Sequence, residues 1–112
     1  MAFDEALRAR LRAHLGAMDG IAEKPMVGGI GFMLRGNLLC GVMGPDLLVR
    51  LASRDFDRYL GEDGAGPMVM GGRSSRSWML VPGTSVASEP EIAKWIGRAT
   101  EFVARMPTKP SK

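Results

Sequence analysis

A short run of alternating apolar residues, set between glycines and a turn, most constrains what this chain can fold into. Ile30, Phe32 and Leu34 recur at period two, which places them on one face of a β-strand, and Gly36-Asn37 then supplies turn residues. The next apolar run, at 38–43, follows that turn at once, so it is expected to return as the antiparallel neighbour. The chain is therefore expected to build an antiparallel sheet.

Two amphipathic helices are expected at the ends of the chain. The first has an apolar stripe at helical spacing, made of Phe3, Leu7, Leu11, Leu15 and Met18. In the last helix, Ser88 and Glu91 have the spacing of a capping box, and Pro107 is expected to stop it. Its broad apolar face is formed by Ile92, Trp95, Ile96, Ala99, Phe102, Val103 and Met106.

The middle of the chain predicts shorter elements. After the turn 44–46, a third strand is expected at 47–51, followed by a brief helix capped by Ser53 in which Phe56, Tyr59 and Leu60 share a face before Gly61. A loop at 62–66 then leads to strands at 68–70 and 77–81, joined by a polar turn at 71–75. The order is helix, three strands, helix, two strands, helix. It predicts a two-layer α+β domain with an antiparallel sheet of about five strands, spanning 1–106 and followed by a flexible tail at 107–112.

Charge and cysteine content limit the classes of function. The 15 Lys and Arg against 12 Asp and Glu give a formal net charge of only +3, and part of that charge lies in the tail. The sequence therefore does not indicate the strongly basic surface that is typical of nucleic-acid-binding domains. A single cysteine excludes an internal disulfide and fits a reducing compartment. No leader and no membrane-spanning run is recognised, so we expect a cytoplasmic protein without membrane association.

The Gly28-Gly29-Ile30-Gly31 run invites comparison with phosphate-binding loops. A P-loop requires Gly-Lys-Ser/Thr at its end, and a dinucleotide fingerprint requires a further Gly that opens a helix. Neither is present, and these glycines lead into a strand. Close backbone packing or a bulge is the better interpretation, and no cofactor or small-molecule ligand is predicted.

Candidate reactive side chains are sparse. Cys40 lies in an apolar strand, where a thiol is normally inert, and His14 has no Asp or Ser partner indicated by the sequence. Glu62 and Asp63 are adjacent in a loop and are interpreted as solvated charges rather than as an acid/base pair. No metal set is recognised either, so no catalytic residue is predicted, and an enzyme built on Cys40 or His14 is the least favoured hypothesis.

Two features suggest binding instead of catalysis. Arg73 and Arg76 flank a Gly/Ser turn near Trp78, which is the one basic and aromatic combination suited to a phosphate or a stacked base. Nine methionines are many for this length, and six of them fall in or beside the expected strands. Packing under the helices is the default for these methionines, whereas those on an open sheet face would form a protein-binding patch.

The runs at 23–37, 46–50, 67–73 and 77–81 resemble the N-terminal domain of the TfoX/Sxy proteins, bacterial factors linked to natural competence. The resemblance covers nearly the whole chain from about Glu23 to Pro107, although Pro25, Val27 and Met70 depart from the usual family pattern. The matching positions are structural in character: Lys24, Met26, Gly28, Gly29, Gly31, Gly36, Gly72, Trp78 and Trp95.

The resemblance implies a secretion-chaperone-like α+β fold and, because only a short tail follows Met106, a stand-alone domain without the helical C-terminal domain of competence regulators. It also implies a small, non-enzymatic protein-interaction or regulatory module that binds a protein partner or itself. The alternative is a nucleic-acid-associated transcriptional or competence regulator that uses Arg73, Arg76 and the basic side of the first helix.

Overall fold

The computed structural model describes residues 3–26 and 28–108. Within these residues, three α-helices and six β-strands follow one another in the order α1 Glu5–Leu15, β1 Ile21–Met26, β2 Gly29–Leu34, β3 Asn37–Met43, β4 Asp46–Arg50, α2 Ser53–Tyr59, β5 Gly66–Met70, β6 Arg73–Val81 and α3 Glu89–Val103. Short 3-10 turns occupy Glu62–Gly64 and Gly83–Val86.

All strands join one antiparallel sheet in the order β1-β2-β3-β4-β6-β5. The α+β prediction is thereby confirmed, with six strands in place of about five. The strand that the sequence did not reveal is β1, which pairs with β2 along its whole length. It contains Glu23, Lys24 and Pro25 and lies at the sheet edge, where proline and charged residues are tolerated because one side of the strand has no ladder to complete.

The helices pack on one face of the sheet and form the core with it. Leu7, Leu11 and Leu15 of α1 are buried, as the stripe predicted. Phe3 lies outside this helix and bridges Gly44 instead, because the Asp4 side chain accepts hydrogen bonds from the Ala6 and Leu7 amides and so caps α1 at this point. In α3 the buried face comprises Ile92, Trp95, Ile96, Ala99 and Val103.

The β2–β3 hairpin forms as predicted, but its turn is Arg35-Gly36 instead of Gly36-Asn37. Both turn residues have positive φ, 48° and 86°, as a type I′ turn requires. Asn37 begins β3 and is buried, and its side-chain amide donates a 2.9 Å hydrogen bond to the carbonyl of Pro107. This contact ties the end of α3 to the hairpin.

Two predicted caps are wrong. Ser53 is the first helical residue of α2 and Ala52 precedes it as the N-cap, without a side-chain hydrogen bond. Ser88 does precede α3, but it makes no capping hydrogen bond. Glu91, the other half of the expected capping box, points to Lys94 at 3.3 Å instead.

Two further expectations about the middle of the chain need correction, and the predicted tail stays a prediction. Leu60 does not share the buried face of Phe56, because it caps α2 and is 45% exposed. The polar turn shrinks to Gly71-Gly72, since β6 already begins at Arg73. Of the expected tail, Pro107 and Thr108 are exposed, and 109–112 lie outside the described residues.

Candidate functional site

The two faces of the sheet differ sharply in what covers them. Residues paired across antiparallel strands point to the same side, so the register sorts the strand side chains into two sets. The helix-covered set consists of Ile30, Val42, Leu47 and Val81 in one row and of Phe32, Cys40, Val49 and Met79 in the next, all of them buried in the core. The other set forms the face that we call the open face.

The open face is mostly apolar and carries methionines, with one charged residue each at two positions, Lys24 beside Gly31 and Asp46 beside Met43. Its central row pairs Gly31 with Gly41, Gly41 with Leu48, and Leu48 with Leu80. The flanking rows add Met26, Met33, Leu38, Met43 and Trp78, all partly exposed. In the described part of the chain, each helix contributes its buried side chains to the opposite face.

Leu48 is the centre of the open face. It is 1% exposed yet does not belong to the core cluster, so neighbouring long side chains cover it. In the same row, an added Cβ at Gly31 would lie 2.6 Å from Leu38 Cδ1 and 2.8 Å from Met26 Sδ. Glycine therefore lets Leu38 and Met26 lie flat across the strand. Flexible, polarizable methionines on such a surface can adapt to differently shaped partners.

An arginine and a tryptophan stand at one end of the open face. Arg50 and Trp78 are directly paired between β4 and β6, and the guanidinium carbon lies 5.0 Å from the indole centroid, a cation–π distance. Burial lowers the pKa of the Arg50 guanidinium, which still remains charged. Its buried Nε has no hydrogen-bond partner among the described residues. Sequence reasoning missed Arg50, although alternation within β4 places it on the same side as Leu48.

The three residues predicted to contact nucleic acid occupy different places. Arg73 is exposed at the tip of the β5–β6 hairpin, and Trp78 belongs to the open face. Arg76 turns toward α2, where its guanidinium donates to both carboxylate oxygens of Asp57 at 3.3 and 2.9 Å and lies over Phe56. The structure therefore does not gather them into one unpaired basic patch, and nucleic-acid contact at these residues stays a prediction.

Neither proposed reactive group lies in a catalytic arrangement among the described residues. Cys40 is fully buried, and burial raises the pKa of its thiol. His14 is exposed on α1. No group of three metal-ligating side chains occurs within residues 3–26 and 28–108.

The family-motif residues have mostly structural environments. A Cβ at Gly29 would overlap the carbonyl oxygen of Val42, which confirms that this glycine run permits close backbone packing. Gly28, Gly36 and Gly72 have positive φ. Lys24 is exposed on edge strand β1, and Trp95 is buried in the core.

Glu62 and Asp63 are not simply solvated, contrary to expectation. Lys94 of α3 lies 2.9 Å from Glu62 and 2.7 Å from Asp63, and Arg98 lies 2.9 Å from Glu62. The indole Nε1 of Trp95 donates to Asp63 at 3.0 Å. These contacts fasten the loop after α2 onto α3, so the acidic pair has a structural role.

This ion-pair cluster predicts a specific loss of stability in acid. Hydrogen bonds from Lys94, and then from Arg98 for Glu62 and from Trp95 for Asp63, hold the pKa of each carboxyl below its usual value. A carboxyl whose pKa is lowered by folding stabilises the protein above its unfolded pKa, and this contribution disappears as the pH falls through the folded pKa. We expect the free energy of unfolding to fall less steeply in Lys94→Met than in the wild type as the pH drops from about 5 to about 3.

Urea unfolding at several pH values measures this difference. Lys24→Met is the matched control, since Lys24 is exposed and has no ion pair within 4.0 Å among the described residues. Equal pH dependence in all three proteins would show that the cluster contributes nothing.

One of the comparisons with known proteins identifies a family. The family model described as the TfoX N-terminal domain matches residues 13–103 of the 112-residue chain. No curated protein and no solved structure matches the chain. Within the described residues, no helix combines the length and the apolar character needed to cross a membrane.

Proposed function

This chain belongs to the TfoX N-terminal domain family, and we propose on that premise that it is a small, non-enzymatic regulatory module that binds a protein partner or a second copy of itself through the open face. The single observation that carries the proposal is the sheet face of Met26, Met33, Leu38, Met43 and Leu80, which no helix in the described part of the chain covers. Contiguous apolar surface of this kind marks interaction sites on soluble proteins.

The sheet edges favour binding through the face rather than by strand addition. Edge strand β1 contains Pro25 and edge strand β5 contains Pro67. Proline lacks the amide proton that an added strand would need and obstructs edge-to-edge pairing. A partner that buries apolar side chains against the sheet face meets no such obstacle.

Arg50 and Trp78 add a specific anchor to this surface. Tryptophan and arginine are the residues most often found at energetic hot spots of interfaces, since each combines a large contact area with a polar group. Arg50 forms no ion pair within 4.0 Å among the described residues, so its guanidinium would gain a partner if a carboxylate approached beside the indole. Regulation would then follow from occupancy of the face, without a chemical step, and the buried Cys40 fits a protein of the cytoplasm.

Negative charges placed on the open face are expected to weaken binding strongly. We expect Met33→Glu combined with Met43→Glu to lower binding by about tenfold or more, because carboxylates cannot be desolvated against Leu48 and Leu80. The matched control is Ala13→Glu combined with Ala93→Glu, which adds the same charge at exposed helix positions. Thermal unfolding first establishes that both double variants are folded.

The measurement combines light scattering over a concentration series with affinity capture from native lysate after nuclease treatment and a salt wash. The wild type and the control should retain the same protein partner or form the same oligomer, and the open-face variant should lose it. Identical behaviour of all three proteins would refute the proposal. Binding lost on nuclease treatment, or falling steeply with salt, would point instead to nucleic acid.

A further inference from the structure

A second surface, on the helix side of the molecule, lies between the start of α2 and the end of α3. It is a groove of about 520 Å³. Its apolar lining consists of Ala52, Phe102, Met106 and Pro107, and its polar lining consists of Ser53, Arg54 and Arg105. We propose that this groove binds an acidic peptide segment of a partner protein, with an apolar side chain on the floor and carboxylates beside the two arginines.

The floor of the groove is firmly held. Phe102 and Met106 are partly exposed while packing against the core. Asn37 donates to the Pro107 carbonyl at 2.9 Å, and Arg35 donates to the Ala104 carbonyl at 3.2 Å. Because these bonds fix the end of α3 to the β2–β3 hairpin, the apolar floor is present before a ligand arrives, which lowers the entropic cost of binding.

The charge at the rim selects an acidic occupant. Arg54 and Arg105 are both exposed, and neither has an ion-pair partner within 4.0 Å among the described residues, although Asp55 and Glu101 are near in sequence. Arg35 adds a further positive charge at the same helix end. Complementary carboxylates on a partner would pair with these guanidinium groups and would speed the encounter.

The shape of the groove favours a peptide over a small molecule. Small-molecule sites usually enclose most of the ligand surface, whereas here Ser53, Arg54, Arg105 and Pro107 are all exposed. The chain's own continuation after Thr108 is Lys109-Pro110-Ser111-Lys112, which has the same charge sign as the rim. Its two lysines would be repelled by the rim arginines, and the proposal therefore assigns the carboxylates to a partner protein.

Selection from a library of random twelve-residue peptides displayed on phage tests this inference with the full chain. We expect the enriched peptides to combine Asp or Glu with a large apolar residue. Their affinity, measured by fluorescence anisotropy, should fall by about tenfold or more in Arg54→Glu/Arg105→Glu. It should fall comparably in Met106→Glu, which places a carboxylate on the floor.

The matched control is Arg58→Glu/Arg73→Glu, with the same change in net charge at two other exposed arginines. It should bind like the wild type. Amide NMR shifts on adding an enriched peptide should cluster at 52–54 and 102–106. The inference is overturned if no acidic and apolar motif is enriched, if the control loses binding equally, or if the shifts map elsewhere. It is also overturned if the groove variants remove only self-association.

The Met33→Glu/Met43→Glu variant should keep peptide binding, which separates this inference from the proposed role of the open face.

Discussion

Gly41→Ala is expected to destabilise the fold by about 3 kcal/mol or more, a loss large for the addition of one methyl group. A Cβ at this position would overlap the carbonyl oxygen of Ile30 and would lie 3.2 Å from the Gly31 Cα. Both obstructing groups are backbone of the neighbouring strand β2. No rotamer change can relieve the overlap, so the β2–β3 pairing itself must shift.

Gly97→Ala is the matched control for this substitution. Gly97 is exposed within α3, and an added Cβ would meet nothing within 4 Å. Because alanine favours a helix over glycine, this variant should be more stable than the wild type by up to about 1 kcal/mol. Urea unfolding followed by circular dichroism measures both changes. A Gly41→Ala protein within about 0.5 kcal/mol of the wild type would contradict the packing described for β2 and β3.

Trp95→Ala is expected to lower the free energy of unfolding by about 3 to 5 kcal/mol. Trp95 is fully buried, meets the Tyr59 ring edge-on at 6.3 Å between centroids, and lies under the Arg98 guanidinium at 4.7 Å. Removing the indole leaves a cavity between α3 and the sheet. It also deprives the Asp63 carboxylate of the indole N–H donor.

Trp95→Phe separates the two contributions of the indole. It keeps most of the apolar volume and loses the N–H group, so we expect a smaller cost of about 1 to 2 kcal/mol. Circular dichroism is the suitable probe, because the tryptophan fluorescence of both variants would come from Trp78 alone, which lies on the open face and not in the core. If the alanine and phenylalanine variants were equally stable, the loss of stability would come from the missing N–H group and not from the missing core packing.

Local patterns were sufficient for the elements whose residues interact mainly with their own neighbours in sequence. The stripes of α1 and α3 and the period-two run of β2 could be predicted because one side of each element is buried. Edge strand β1 could not be predicted in this way, because Pro25 and two charged residues stand where the apolar alternation would be. An edge strand tolerates such residues, since it needs a hydrogen-bonding partner on one side only.

The candidate site depended on contacts between residues distant in sequence. Leu47, Leu48 and Val49 are all buried, so composition alone does not tell which side of β4 the helices cover. The pairing of Arg50 with Trp78 requires β4 to lie beside β6, although α2 and β5 separate them in the chain. In the same way, the Asp63–Trp95 hydrogen bond becomes visible only once the loop after α2 is placed on α3.

The most direct test of the open face uses the methionines themselves. Met33 and Met43 lie on that face, whereas Met18 is similarly part-exposed but packs against the core on the helix side. Mild peroxide oxidises accessible methionines to sulfoxides, and mass spectrometry reports the rate at each position. We predict that Met33 and Met43 oxidise several-fold more slowly, relative to Met18, in native cell extract than in dilute purified protein. An unchanged ratio would contradict the proposal that this face is the binding surface.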